Sequence, residues 1–219
     1  RHQRPDAVSL GIQLPDVDGW ALVDRITTDR EMRHLPVHLI SVVDDEERLR
    51  GRGIEYSGKP VSRERLIEVF DVLRAQATRR SWRVVLVRPN ARVTADLRPL
   101  LEMVEGLTLD EVTPSKAAAA LQSPADAVLV VAPTADKVIA ELLATMAARR
   151  EAFPIIAGLD AAPKAAIAAA LARARAELVI RSEAGGDGRL LDALVVTLKL
   201  RWDTLPEPLR AAITAVRTR

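Results

Sequence analysis

Short apolar runs alternate with longer stretches of helical period along this chain, the pattern of repeated βα units that assemble a parallel sheet. The runs predict strands at Ala7–Leu10, Val37–Val42, Arg83–Val87, Leu107–Val112, Ala127–Val131, Pro154–Ala157 and Glu177–Ile180. Several are apolar throughout, as strands covered on both faces must be. Between them, helices are predicted at Trp20–Thr27, Ser62–Arg74, Ala91–Val104, Pro114–Leu121, Ala135–Arg150, Pro163–Arg175 and Leu190–Trp202. In Ser62–Arg74 the apolar positions Leu66, Ile67, Val69, Phe70 and Leu73 recur at helical spacing, which predicts one buried face. Ser62 is placed as the N-cap of that helix.

The polar, arginine-rich AQATRRS at 75–81 separates a helix end from a new strand, and the chain repeats itself across this boundary. PDAVSLG (Pro5–Gly11) parallels ADAVLVV (Ala125–Val131), and LPVHLIS (Leu35–Ser41) parallels FPIIAGL (Phe153–Leu159). IEYSGKPVSRERLIEVF is echoed by AELVIRSEAGGDGRLLDAL, at an offset of about 120 residues throughout. The expected organisation is a unit over 1–78 that begins at its third strand, a fuller unit of about five strands over 82–202, and a tail over 203–219. The start without Met reads as truncation inside a domain.

Composition narrows the chemistry. Of 219 residues, 32 are Lys or Arg and 30 are Asp or Glu, so no single-sign field favours a nucleic-acid or membrane-surface partner. The absence of Cys removes disulfides, thiolate nucleophiles and Cys-ligated zinc. No apolar run reaches the ~18–20 residues that span a bilayer, so a cytoplasmic location is expected. His2, His34 and His38 lack carboxylate partners at ligand spacing and read as surface or partly buried histidines, leaving no metal and no cofactor expected. The run Asp44–Glu47 reads as the acidic start of a helix. Gly185–Gly188 lacks a following Lys-Ser/Thr and reads as a flexible lead-in loop. Asp110 and Glu111 read as surface charge, and the alanine-rich helices as scaffold.

One combination is more specific. LGIQLPDVDGW (Leu10–Trp20), followed by LPVHLIS and then EYSGKPVS, resembles the receiver domains of bacterial two-component response regulators. The resemblance implies an α/β fold, a doubly wound, flavodoxin-like parallel sheet of order 2-1-3-4-5, in two copies with the first N-terminally truncated. It places the site at the carboxyl ends of the strands. There the family uses an aspartate as phosphoacceptor, an acidic pair for Mg²⁺, a hydroxyl and a lysine. Carried over by position, Gly11 stands at the phosphoacceptor position of the first copy, with Ser41 at the hydroxyl, Lys59 at the lysine and Tyr56 at the aromatic switch. In the second copy Val131 stands at the acceptor position, Leu159 at the hydroxyl and Arg181 at the lysine. Arg88, Pro89 and Asn90 occupy the place of the acidic pair. Asp16 and Asp18 read as turn formers and helix caps rather than substitute acceptors. For Arg181, a solvated strand-end charge and an anion-binding group both remain open.

In function, the resemblance implies a non-enzymatic tandem in phosphorelay signalling that has lost its phosphoacceptor aspartates and acts as an interaction or regulatory module. Its partner would be a histidine kinase or another two-component protein, with a homodimer as a further option. The alternative is a regulatory C-terminal fragment of an ATP-dependent hybrid sensor histidine kinase, and a third reading is a purely structural dimer module.

Overall fold

Two separate parallel sheets organise the computed structural model, which describes residues 5–14, 18–42, 54–89, 97–134, 137–148, 153–181 and 186–215. The chain divides into one unit of Arg1–Arg79 with Lys199–Asp203 and another of Arg80–Leu198 with Thr204–Arg219. The sequence readings for His2, Asp16, Asp44–Glu47, Asn90 and Gly185 fall outside the described residues.

In the first unit, strands β1 (Val8–Gly11), β2 (Val37–Ser41) and β3 (Ile54–Gly58) pair in that order, all parallel. Helix α1 (Gly19–Thr28) starts where the Asp18 carboxylate accepts the Trp20 N–H at 3.0 Å, the capping role expected of it. Trp20, Val23 and Ile26 then share a helix face and pack with Leu10, Val37 and Leu39. Helix α2 (Arg63–Thr78) begins at Ser62, whose hydroxyl accepts the Arg65 N–H at 3.1 Å, and runs four residues past the predicted Arg74. Its buried stripe is narrower than the spacing predicted: Val69 and Leu73 are buried, whereas Ile67 and Phe70 are about half exposed. Strand β3 lies outside the apolar runs because Glu55, Ser57 and Gly58 interrupt its two apolar residues, although Ser57 is buried.

In the second unit the strands are β4 (Trp82–Val87), β5 (Leu107–Val112), β6 (Ala127–Ala132), β7 (Ile155–Leu159) and β8 (Glu177–Ile180). The helices are α3 (Leu97–Glu102), α4 (Pro114–Ala120), α5 (Lys137–Ala147), α6 (Ala165–Arg173), α7 (Gly186–Thr197) and α8 (Glu207–Thr214). All strand pairs are parallel and the order is β5-β4-β6-β7-β8, or 2-1-3-4-5 in chain order. This is the doubly wound, flavodoxin-like α/β fold. Val85, Val87, Val128, Val130, Ile155 and Ala157 form one core with Ala117, Leu142, Leu143 and Leu171 of α4, α5 and α6. The intervening strand residues point to the other face, where α7 packs on β6, β7 and β8. Helix α8 packs on α7 through a face that buries Leu209 and Ile213.

Two readings are corrected here. The glycine run after β8 is not a lead-in loop throughout: α7 starts at Gly186, where a Cβ would collide with the Cα and carbonyl oxygen of Arg181. A helix start pressed this closely onto a strand end requires glycine. Helix α7 also ends at Thr197 rather than at Trp202, because Lys199 adopts a left-handed backbone (φ 54°).

Candidate functional site

The carboxyl edges of the two sheets have the same local construction. In the first unit Gly11 pairs with Ile40, Ser41 pairs with Gly58, and the Lys59 N–H donates to the Ser41 carbonyl at 2.8 Å. In the second Val131 pairs with Gly158, Leu159 pairs with Ile180, and the Arg181 N–H donates to the Leu159 carbonyl at 2.6 Å. Gly11 with Val131, Ser41 with Leu159 and Lys59 with Arg181 are therefore equivalent by strand register, independently of any counting along the repeat.

The side chains at these equivalent places differ. In the first unit Ser41 is buried, Lys59 is exposed, and Tyr56 packs against the Leu10–Trp20–Leu39 core. Among the described residues, a Cβ built on Gly11 would meet the Ile40 and Gln13 carbonyl oxygens at 3.7 and 3.9 Å, ordinary contacts that leave room for a β-carbon. In the second unit Val131 and Leu159 are fully buried and belong to the core. Arginines cover this apolar edge. Arg88, at the end of β4 and 5% exposed, pairs with Glu111, which also holds Arg98 at 3.2 Å.

Arg181 settles the choice left open by its sequence position. Its Nε donates to Asp187 at 2.6 Å and its Nη1 to Asp160 at 3.1 Å, and its side chain is 13% exposed. Gly158 makes this path available, since a Cβ there would lie 2.9 Å from the Arg181 Cδ. The guanidinium is thus an internal clamp between two carboxylates rather than a solvated charge. Among the described residues of this edge, Arg88 adds positive charge and Arg181 engages the Asp160 and Asp187 carboxylates. Among the described residues, no group of three His, Asp or Glu side chains is arranged to hold a metal ion.

Asp110 and Glu111 do lie at the surface, partly exposed, and each has an ion-pair partner there. They lie on opposite faces of β5, so Asp110 meets Arg83 at 2.6 Å while Glu111 meets Arg88.

A polar chain that sequence reasoning missed crosses the first sheet. His38 is fully buried, with Nδ1 3.2 Å from the Ser9 hydroxyl and Nε2 3.0 Å from the Ser57 hydroxyl. Alternation offered a signal, because His38 sits between Val37 and Leu39 and so must face away from the α1 core. Burial, and then the Arg65 charge, hold its pKa below the ordinary imidazole value. The unfolded chain therefore takes up this proton at a higher pH than the folded one, so the contribution of neutral His38 to stability is present above about pH 6.5. It is lost as pH falls through the lower folded value. Urea midpoints of the first unit are expected to hold near neutrality and decline below about pH 6.5, with a shallower decline in His38→Asn. Equal slopes for the two proteins would contradict this.

No family model matches the chain. A stretch of 74 residues is 42% identical to the polar-differentiation response regulator DivK of Brucella anthropi, covering 32% of this chain and 60% of that protein. The DivK proteins of Brucella ovis and Brucella suis are 40% identical over the same length. The matched stretch is similar to response-regulator sequence. The chain spans about 60% of the length of these curated relatives. Receiver sequence and the strand order of the second unit agree on the same α/β architecture. Among the described residues, no helix is long and apolar enough to cross a membrane.

Proposed function

We propose that this chain is a tandem of receiver-type units that has lost its phosphoacceptors and serves two-component signalling as a protein-binding, regulatory module. The observation that supports the reading is the shared register, which makes Gly11 and Val131 equivalent strand-end positions, and the family resemblance would put a phosphoacceptor there. Neither side chain offers a nucleophile. In the second unit the reading gains support from Leu159 at the hydroxyl place and from Arg88 and Arg181, which neutralise the edge internally. A site filled by apolar side chains and closed by ion pairs favours a fixed binding surface over a phosphoryl-driven switch. The partner in this reading is a histidine kinase or another two-component protein, either separate or part of the same longer polypeptide, and the chain itself performs no catalysis.

The test is incubation of the full chain with a small phosphodonor and Mg²⁺, followed by intact-mass measurement. The expected result is no hydroxylamine-sensitive phosphate. Stoichiometric acid-labile phosphate on either unit would overturn the proposal.

A further inference from the structure

The first unit is completed by a segment far along the chain, Lys199–Asp203, which is grouped with Arg1–Arg79. Its anchor is Trp202. The Arg30 guanidinium carbon lies 4.7 Å from the centroid of that ring and the Arg33 guanidinium carbon 5.8 Å from it. Both are inside the ~6 Å range in which a cation is held by an aromatic face, and the burial of Arg33 strengthens the attraction. The two arginines are presented together by a turn built on Asp29, whose carbonyl accepts the N–H groups of Met32 and Arg33 at 3.1 and 2.8 Å. Within the segment, Lys199 has a left-handed backbone that turns the chain, and Leu200 is buried beside it.

We propose that Lys199–Asp203 is an acid-sensitive strap of the first unit, closed by stacking of Arg30 and Arg33 on Trp202 and opened when the adjacent His34 takes a proton. Two strap cations, Arg201 and Lys199, act on this histidine, and Arg30 and Arg33 flank it in sequence on the turn that meets Trp202. The opposing carboxylates are Asp203, paired with Arg201 at 3.1 Å, and Asp6, which acts on Arg201. His34 Nδ1 is buried and has no hydrogen-bond partner among the described residues, so a proton placed there would be a donor without an acceptor. Burial, then Arg201 and Lys199, depress the His34 pKa against the opposing pull of Asp203. A protonated ring adds a positive charge beside Arg201 and Lys199, and lifting the strap returns it to water. Acidification thus favours the open form.

Amide hydrogen exchange on the full chain tests this, with rates corrected for the intrinsic effect of pH. Between about pH 7.5 and 5.5, protection at 30–35 and 199–203 is expected to fall roughly tenfold in the parent protein. In His34→Gln it should hold across the same range. Trp202→Ala should lose protection at both pH values while Trp202→Phe keeps most of it, and Arg30→Gln repeats the test should the alanine variant not fold. Protection independent of pH in the parent, the same acid loss in His34→Gln, or full protection without the ring and without Arg30 would each overturn the strap.

Discussion

Gly19→Ala is expected to unfold the first unit or to remove most of its stability, about 3 kcal/mol or more. A Cβ at this position would lie 2.5 Å from the Ile12 carbonyl oxygen and 2.6 Å from both the Gly11 carbonyl oxygen and the Ile12 Cα. All three are backbone atoms, so no side chain can swing aside to make room. The close approach also serves a bond, because the Gly19 N–H donates to the Ile12 carbonyl at 3.1 Å and so fixes α1 against the end of β1. Trp20, 5% exposed in the adjoining core, supplies a fluorescence reporter for urea unfolding. Gly11→Ala is the control, since its nearest new contacts are ordinary van der Waals distances. Near-equal midpoints for Gly19→Ala and the parent protein would refute the steric argument.

Arg83→Met is expected to cost the second unit about 3 kcal/mol. One guanidinium, a quarter exposed, bonds the Asp110 carboxylate at 2.6 and 2.8 Å. It also donates to the carbonyls of Ala120, Ser123 and Pro124, each at 3.0 Å. It thereby joins β4 to β5 and closes the C-terminal end of α4, whose carbonyls have no partner within the helix. Methionine keeps the stem and removes every donor. Lysine should recover little, because a point ammonium cannot reproduce a planar fork serving four acceptors. Chemical denaturation reads both effects, and full recovery in Arg83→Lys would show that charge alone matters there.

The second sheet was legible because buried parallel strands are written as unbroken apolar runs: WRVVLV and AVLVVA permit little else. The first receiver edge was legible for a different reason, since PDVDG, the serine at the end of β2 and Lys-Pro after β3 each mark a strand end. Arginine geometry was less accessible. Whether Arg181 meets solvent, an anion or a carboxylate depends on Asp160 and Asp187, which are brought to it by β7 and α7 rather than by neighbouring sequence. Asp110 and Glu111 looked like bare surface charge because their partners, Arg83 and Arg88, sit on another strand. The extent of the α2 stripe is a tertiary fact as well: helical spacing marks which residues share a face, and tertiary packing decides how many of them are covered.

The strap has one more consequence, concerning the order in which the protein is made. Arg30 and Arg33 leave the ribosome long before Trp202 does, so the turn they form must wait, unstacked, while the whole of β4 to α7 is synthesised. The turn that carries Arg30 and Arg33 is thus made early and stacked late.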